Sequence, residues 1–319
     1  FELSLSTEVP FGFTVVFSGC SQQAVQQPVV EQEWIRFIEP WSRYPVFKWD
    51  NTTVQDEGIH GDKPAVINTV ELSDEWRNAS VLKKGTEQVY TFEVKEKGTL
   101  EFSTIAVVKK LPSEPVEVLM NVHLTNGEQS FDYSRNVSVT ASKNAEWDDV
   151  RIPVEGMAGV VTCKVVFNVS ATTPEDEKYL FFLGSPFFVP ETCVKKPTVV
   201  FWVFDSMRDV ELGVYGSPVA ASPTLDLLSK HGVTFTNALS TSCWTLPGVQ
   251  NMITGQILHE IQSEATSLRS PRHAPLPIMH SEFAKAGYMT IGISSNHIVT
   301  AKQGINLGCD IYDISASTD

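Results

Sequence analysis

The segment Thr198-Val-Val-Phe-Trp-Val-Phe204 decides the fold of the second part of the chain, and Asp205 follows it directly. The segment is short, β-branched and aromatic and has no helical period, which predicts a strand buried on both faces of a parallel sheet. Ligands of open α/β sheets bind beyond the carboxyl ends of such strands. Asp205 therefore lies where a metal ligand is expected, although a carboxylate that caps the strand end is the alternative.

A second motif, Ser242-Cys-Trp-Thr-Leu-Pro247, lies further along the chain. Pro247 suits the first position of a helix, so we expect Thr245 just before that helix's N-terminus. Unpaired N–H groups and the helix dipole favour an anionic sulfate or phosphate there, beside the Thr245 hydroxyl. The alternative is that Thr245 is only an N-cap residue.

Several motifs in this part of the chain, taken in order, resemble sulfatases of the alkaline-phosphatase superfamily. They are Asp205 to Gly216, Ser222 to Asp226 with Gly232 to Ala238, Thr245-x-Pro247 with Thr254-Gly255, and Gly287 through His297 to Asp310. The resemblance implies a divalent metal (calcium, magnesium, manganese or zinc) held partly by Asp205 and Thr245. It also implies that Thr245 is the nucleophile and that His297 contacts the transferred group.

The sequence departs from the formylglycine-dependent members of that family. Their pattern needs cysteine or serine at the nucleophile and an arginine further on, whereas this chain has Thr245 and Val249 at those positions. Threonine cannot be oxidised to formylglycine, so the resemblance points to the phosphotransferase and phosphodiesterase branch of the superfamily. Ser206 stands where many sulfatases have a second aspartate, and Ser295 replaces a lysine two residues before His297.

Two hypotheses about function therefore stay open. Family members supply their remaining metal ligands from strands beyond the position of Asp310, and Asp205 with Thr245 is too small a set, since catalytic metal sites have about three protein ligands. The first hypothesis is a metal-dependent hydrolase or transferase of phosphate or sulfate esters, which the retained Asp205 and Thr245 favour. The second is an inactive sulfatase-like glycoprotein that serves as a structural, glycan-binding or protein-binding module, which the departures at Val249 and Ser295 favour.

The first part of the chain has strands of period two, such as Gln88 to Val94 and Val160 to Val169, with turn residues between them and no helical pattern. This predicts an all-β sandwich, and the segment from Trp147 to Pro186 resembles the jelly-roll, carbohydrate-binding-module-like domain that precedes some sulfatase-family enzymes. Core packing explains Trp147 and the Phe181, Phe182, Phe187 and Phe188 cluster, with a sugar-stacking platform as the alternative. The predicted organisation is an N-terminal arm with early strands (1–64), a jelly-roll sandwich (65–190), a linker (191–197) and the first half of an α/β/α doubly wound sulfatase-like domain (198–319).

The chain is acidic, with a formal net charge of −14. Residues 196–319 carry 10 acidic and 7 basic side chains, so −11 of that charge lies in residues 1–195. This balance argues against nucleic acid or an anionic membrane as a partner. No apolar run reaches the roughly 20 residues that a membrane-spanning helix needs.

Four Asn-x-Ser/Thr sequons also lie in the first part, at Asn51, Asn78, Asn136 and Asn168. Such triplets occur by chance, but four in one β-rich domain favour a secreted or cell-surface glycoprotein. Five cysteines are present and none forms a CxxC pair, which argues against a zinc knuckle or a thioredoxin-type site. In a secreted protein we expect disulfides, such as Cys163–Cys193. An ester substrate, a glycan and a protein partner all fit this localisation.

Overall fold

The computed structural model describes residues 12–17, 32–38, 65–72, 75–108, 111, 115–142, 145–170, 179–193, 196–219, 221–257 and 277–314. The chain divides into two compact units. One comprises residues 1–26 and 195–266, and the other comprises residues 27–194 and 267–319. One boundary between the units, at 194/195, falls within the predicted linker at 191–197, and residues 277–314 cluster with the first part of the chain. The predicted domain bounds stay a prediction.

The described strands are, in chain order, β1 (Gly12–Phe17), β2 (Ile35–Arg36), β3 (Ala65–Leu72), β4 (Glu75–Leu82), β5 (Glu87–Val94), β6 (Gly98–Val107), β7 (Val118–Thr125), β8 (Ser130–Asn136), β9 (Val139–Thr140), β10 (Asp148–Val154), β11 (Gly159–Val169), β12 (Leu180–Pro190), β13 (Val199–Phe204), β14 (Ile291–Ile293) and β15 (Ile311–Asp313). The described α-helices are α1 (Pro223–Ser229), α2 (Thr245–Thr254) and α3 (Met279–Lys285), with short 3-10 turns at Asp209–Glu211, Gly213–Tyr215 and Ala301–Gln303. None of the described helices has the length and hydropathy needed to cross a bilayer.

The larger unit contains a β-sandwich. Its four-stranded sheet runs β5-β11-β7-β8, and its larger sheet follows the path β10-β6-β12-β4-β15-β14. Alternate residues of β7 and β11, such as Met120 and Phe167, point into a core that they share with Phe181 and Phe188 of β12. The all-β prediction for this part of the chain is confirmed, while the jelly-roll topology stays a prediction.

Trp147 packs on the larger sheet in a second hydrophobic cluster, separate from the core that the two sheets share. Its side chain is buried in a cluster with Phe182 and Val81, and a Cβ atom on Gly184 would come within 2.9 Å of the indole ring. An indole covered in this way cannot offer its face to a sugar. The core-packing interpretation of Trp147 is therefore confirmed and the sugar-stacking alternative is wrong.

The C-terminal described segment joins the sandwich sheet. β15 pairs antiparallel with β4, with Tyr312 opposite Trp76, and β14 pairs parallel with β15. A strand pattern predicts an extended segment but does not specify its neighbour. Here the neighbour is the first part of β4, which β12 does not pair with.

The smaller unit contains β13, α1 and α2. β13 pairs antiparallel with β1, from Gly12 opposite Phe204 to Phe17 opposite Val199. Val200 and Trp202 are 47% and 59% exposed. The prediction of a parallel strand buried on both faces is therefore wrong for the described residues, because burial of both faces requires helices on each side of the sheet. The doubly wound α/β/α arrangement stays a prediction.

Two predicted covalent features do not fit the fold. Cys163 points into the core and Cys193 is partly buried beyond β12, and both thiols are free, so the expected Cys163–Cys193 disulfide is not formed. Asn78 is buried and its Nδ2 donates to the carbonyl of Cys309 over 2.8 Å. A glycan on that nitrogen would remove this hydrogen bond and bring a bulky polar group into the interior, so the expectation at Asn78 is corrected.

The remaining sequons differ in how far the structure describes them. Asn136 and Asn168 are exposed on the four-stranded sheet, so glycosylation there stays a prediction. Asn51 lies outside the described residues.

Candidate active site at the end of β13

Asp205 directly follows β13, and the next residue holds the backbone in a turn. Ser206 has a φ of 58°, a left-handed conformation that costs a residue other than glycine about 1–3 kcal/mol. The Ser206 hydroxyl donates to Asp205 Oδ1 over 3.3 Å. The strained turn thus changes the chain direction just after the exposed Asp205 carboxylate.

Of the two 3-10 turns that follow, the second (Gly213–Tyr215) is held by Asp226 of α1. Its Oδ1 accepts from the N–H of Val214 over 2.8 Å and from the Ser222 hydroxyl over 3.1 Å. Ser222 also accepts from the N–H of Gly213 over 3.1 Å. Ser222 stands at the N-cap of α1 as predicted, but its hydroxyl makes no capping bond to that helix and instead braces the turn after β13.

Thr245 is the first residue of α2, with Trp244 at the N-cap. We predicted Thr245 outside the helix and Pro247 at its start, so the helix begins two residues earlier than expected. Pro247 is still tolerated, because the first-turn N–H that it lacks would have no partner inside the helix. Gly255, with a φ of 66°, ends the helix after Thr254.

The described geometry brings the predicted nucleophile and the predicted metal ligand together. Thr245 Oγ1 lies 3.2 Å from Asp205 Oδ2 and 3.5 Å from Asp205 Oδ1. The carboxylate is exposed and the threonine is half-buried, so both oxygens are accessible from solvent. A hydroxyl held in this way has its proton directed at a base, while its lone pairs stay free and lie at the positive end of a helix dipole.

His297 is exposed in the segment after β14. It belongs to the larger unit, whereas Asp205 and Thr245 belong to the smaller one. Its contact with a transferred group therefore stays a prediction.

The described residues could supply only some of the ligands of a metal ion. Asp205 and Thr245 offer oxygen donors, which suit a hard cation such as magnesium or calcium. Within the part of the chain that the structure describes, no three His, Cys, Asp or Glu side chains lie together as a metal-binding group. Asp209, which follows nearby, uses its Oδ1 to accept from the N–H of Val210. These residues fit one side of a cation site and do not complete it.

Sequence analysis missed a buried ion pair in the larger unit. Arg36 Nε donates to Asp310 Oδ1 over 2.6 Å, with side-chain exposures of 7% and 3%. Asp310 lies in one of the motifs that resemble sulfatases, but Arg36 has no sequence signal beyond being a basic residue in an apolar segment.

Comparison with known proteins identifies the segment that carries the candidate site. Residues 197–314 match the family described as Sulfatase. The match covers less than half of the chain, and the residues that it covers are called the sulfatase-family segment. An ulvan-active sulfatase of Formosa agariphila is 22% identical over 104 residues, which are 33% of this chain and 20% of the relative. An N-acetylgalactosamine-6-O-sulfatase of Bacteroides thetaiotaomicron is 28% identical over 116 residues, which are 34% of this chain and 22% of the relative. The chain thus spans about a fifth of the length of these curated relatives.

Solved structures give only remote likenesses. A family 61 carbohydrate-binding module in complex with β-1,4-galactotriose is 10% identical and has a TM-score of 0.23, with 44% of this chain and 79% of the module covered. A family 35 module from an environmental isolate is 8% identical and has a TM-score of 0.24, with 51% of this chain and all of the module covered. Scores this low transfer neither a fold nor a ligand to the sandwich.

Proposed function

We propose that this protein cleaves or transfers sulfate or phosphate esters, with Thr245 as the nucleophile. The observation that carries the proposal is the 3.2 Å hydrogen bond from Thr245 Oγ1 to Asp205 Oδ2, inside a segment that matches the sulfatase family. The sulfatase names of the relatives favour a sulfate ester, whereas a threonine nucleophile favours phosphoryl chemistry.

The reaction begins with Thr245 Oγ1 attacking the sulfur or phosphorus atom while Asp205 accepts the hydroxyl proton. The bond from that atom to the ester oxygen breaks, and the oxygen leaves as the alcohol with the proton that Asp205 accepted. Water or an acceptor alcohol then attacks the covalent threonine ester and restores the Thr245 hydroxyl. The positive end of α2 stabilises the negative oxygens of the group during both steps.

We also propose that Asp205, with Thr245 Oγ1, supplies part of the ligand set of a divalent cation. When bound, such an ion lowers the pKa of a coordinated hydroxyl and offsets the negative charge of the transferred group. Magnesium or calcium fits these oxygen donors better than zinc, which prefers nitrogen and sulfur ligands. Because two ligands are too few, the others would come from residues outside those described.

The second candidate function is a sulfatase-like protein without catalysis, secreted or at the cell surface, that binds a glycan or a protein. Val249 and Ser295 favour it, because they stand where the family pattern has an arginine and a lysine. The acidic first part of the chain favours neutral or basic partners over sulfated polyanions. Exposed sequons at Asn136 and Asn168 support a glycosylated, extracellular protein.

The decisive experiment measures release of a chromogenic alcohol from an aryl sulfate and an aryl phosphate. We expect turnover by the wild type, retained turnover in Thr245→Ser and none above background in Thr245→Val, which keeps the shape but has no hydroxyl. A Thr245→Val protein as fast as wild type would remove the nucleophile assignment. A wild type inactive on both esters with magnesium or calcium present would favour the non-catalytic function.

A further inference from the structure

Arg36 anchors the segment before the sandwich to the sulfatase-family segment. Its guanidinium makes two parallel bonds to Asp310, from Nε to Oδ1 over 2.6 Å and from Nη2 to Oδ2 over 2.7 Å. The same group donates to the carbonyls of Tyr288 and Ala284 over 2.7 and 3.2 Å. This planar arrangement of donors is specific to arginine, because a lysine ammonium cannot form a bidentate pair with a carboxylate.

Neighbouring contacts strengthen the same junction. Trp34 Nε1 donates to the carbonyl of Gly287 over 2.9 Å, and the Arg36 guanidinium lies 4.5 Å from the centre of the Trp34 ring. Ser185 of the sandwich donates to the backbone carbonyl of Asp310 over 2.8 Å. The site around Asp310 is therefore buried and densely bonded on several sides.

Asp310 in turn fixes the starts of β14 and β15. Its Oδ2 accepts from the N–H of Thr290 over 2.8 Å and from the Thr290 hydroxyl over 3.0 Å. Thr290 immediately precedes β14, and Asp310 immediately precedes β15. One carboxylate thus sets the register of the two parallel strands.

The loop that carries His297 depends on that register. At one end of the loop the N–H of Ser294 donates to the carbonyl of Asp313 over 2.8 Å. At the other end the Tyr312 hydroxyl donates to the carbonyl of Val299 over 2.7 Å. The Asp313 carbonyl and the Tyr312 hydroxyl both belong to β15, so they move if the strand shifts. The exposed His297, which lies between these two hydrogen bonds in the sequence, would then move with them.

We propose that Arg36, which lies outside the sulfatase-family segment, is a positioning residue for the loop that carries His297. The role of that loop in substrate contact rests on the proposed function, whereas its dependence on Arg36 does not. Arg36 acts through Asp310, Thr290 and β15 and touches no reacting atom. The segment before the sandwich then helps to hold the loop that carries His297.

The experiment measures amide hydrogen exchange in the full chain for Arg36→Lys. We expect the amides of Thr290, Ser294 and Asp310 to exchange about a hundredfold faster, because lysine keeps the charge but cannot form the bidentate pair with Asp310 and the two carbonyl bonds together. Amides of the β6–β12 ladder keep their wild-type rates. The matched control is Arg151→Lys, at an arginine that is 75% exposed and 3.6 Å from Glu101, and we expect it to change none of these rates.

Two further variants distinguish a loss of loop positioning from misfolding. Arg36→Ala leaves the Asp310 charge buried without its cation, whereas Arg36→Ala with Asp310→Ala removes both charges. We expect the double variant to fold, with the melting point closer to wild type than in the single variant, and still to exchange fast at Ser294. Unchanged exchange at Ser294 in both Arg36→Lys and the double variant would overturn the proposal, as would an equal increase throughout the sandwich.

Ester kinetics then separate this inference from the proposed function. If the wild type is active, Arg36→Lys raises KM about tenfold with kcat nearly unchanged, since a displaced substrate contact weakens binding before chemistry. If Arg36→Lys is active with the wild-type KM although the amide of Ser294 exchanges fast, the loop that carries His297 does not contact the substrate. If the wild type has no activity, the proposed function fails, and hydrogen exchange alone decides whether Arg36 holds the loop.

Discussion

Thr245 donates a hydrogen bond to Asp205 Oδ2 over 3.2 Å although the two residues are 40 positions apart. Two local features of the backbone bring the two side chains together. The left-handed Ser206 follows the carboxylate, and the N-terminus of α2 presents the hydroxyl. A hydrogen bond between a strand end and a helix start, in the order of the sulfatase motif, is difficult to explain by helix capping alone, since Asp205 is not in α2.

Asp205→Asn tests the carboxylate. The amide keeps an oxygen that can accept from Thr245 but loses the negative charge, so it can neither take the hydroxyl proton nor bind a cation strongly. We expect kcat for ester cleavage to fall about a hundredfold or more. Asp209→Asn is the control, because Asp209 only accepts from the N–H of Val210, and we expect its kcat within about twofold of wild type. Equal losses in the two variants would point to a disturbed turn rather than to a catalytic charge.

Ser206→Asp tests the cation site. The position adjoins Asp205 and corresponds to a second aspartate in many sulfatases, and aspartate tolerates the left-handed backbone better than most residues. We expect a second carboxylate to tighten calcium or magnesium binding about tenfold or more, as measured by isothermal titration calorimetry. Ser206→Asn has nearly the same shape without the charge, so it should stay near wild type. Equal affinities for Asp and Asn variants would argue against a cation at this end of β13.

Local signals in the sequence predicted the helices well. The sequence predicts a helix over 223–230, which the structure has at Pro223–Ser229, and another over 278–286, which it has at Met279–Lys285. Proline, glycine and apolar spacing act within a few residues of the helix ends, so a single sequence contains them. The pairing of Thr245 with Asp205 was also within reach, because the resemblance implies that both residues hold the same metal ion.

Contacts between residues far apart in the chain could not be predicted from the sequence. The segment from Val199 to Phe204 forms a strand as predicted, but its antiparallel neighbour β1 is about 190 residues away and has no distinguishing pattern. The burial of Asn78 results from β4 pairing with β15, which no sequon reveals. Cys163 alternates inward on β11, yet spacing alone cannot show which sulfur lies near it.

Gly213→Ala and Gly248→Ala should change stability in opposite directions. A Cβ at Gly213 would come within 2.3 Å of Asp226 Oδ2, so the brace of the turn after β13 must shift, at a cost of about 1–3 kcal/mol. A Cβ at Gly248 meets only the Ser242 Cβ at 4.0 Å, and alanine inside α2 is favoured over glycine by about 0.5–1 kcal/mol. Urea unfolding of both variants checks the signs, and a stabilised Gly213→Ala would contradict the described contact with Asp226.

Glycan occupancy should follow exposure among the described sequons. Asn136 and Asn168 lie opposite Leu119 on either side of β7 and are exposed, so both can carry a glycan after secretion from a eukaryotic host. Asn78 should carry none, because its Nδ2 is committed to the Cys309 carbonyl. Peptide mass spectrometry after enzymatic deglycosylation in heavy-oxygen water reports each site. The control Asn136→Gln should remove one glycan only, and a glycan on Asn78 of the folded protein would contradict the pairing of β4 with β15.

Thiol reactivity should distinguish the four described cysteines. Burial raises the pKa of the Cys163 thiol to about 12, and burial together with the nearby Asp310 charge raises the pKa of the Cys309 thiol. Alkylation requires the thiolate, so at pH 8 we expect iodoacetamide to label the exposed Cys243 first and to spare Cys163 and Cys309 until the protein unfolds. Cys243→Ser should remove the fast phase. Fast native labelling of Cys163, or its recovery in a disulfide with Cys193 under non-reducing conditions, would show that β11 does not bury this side chain.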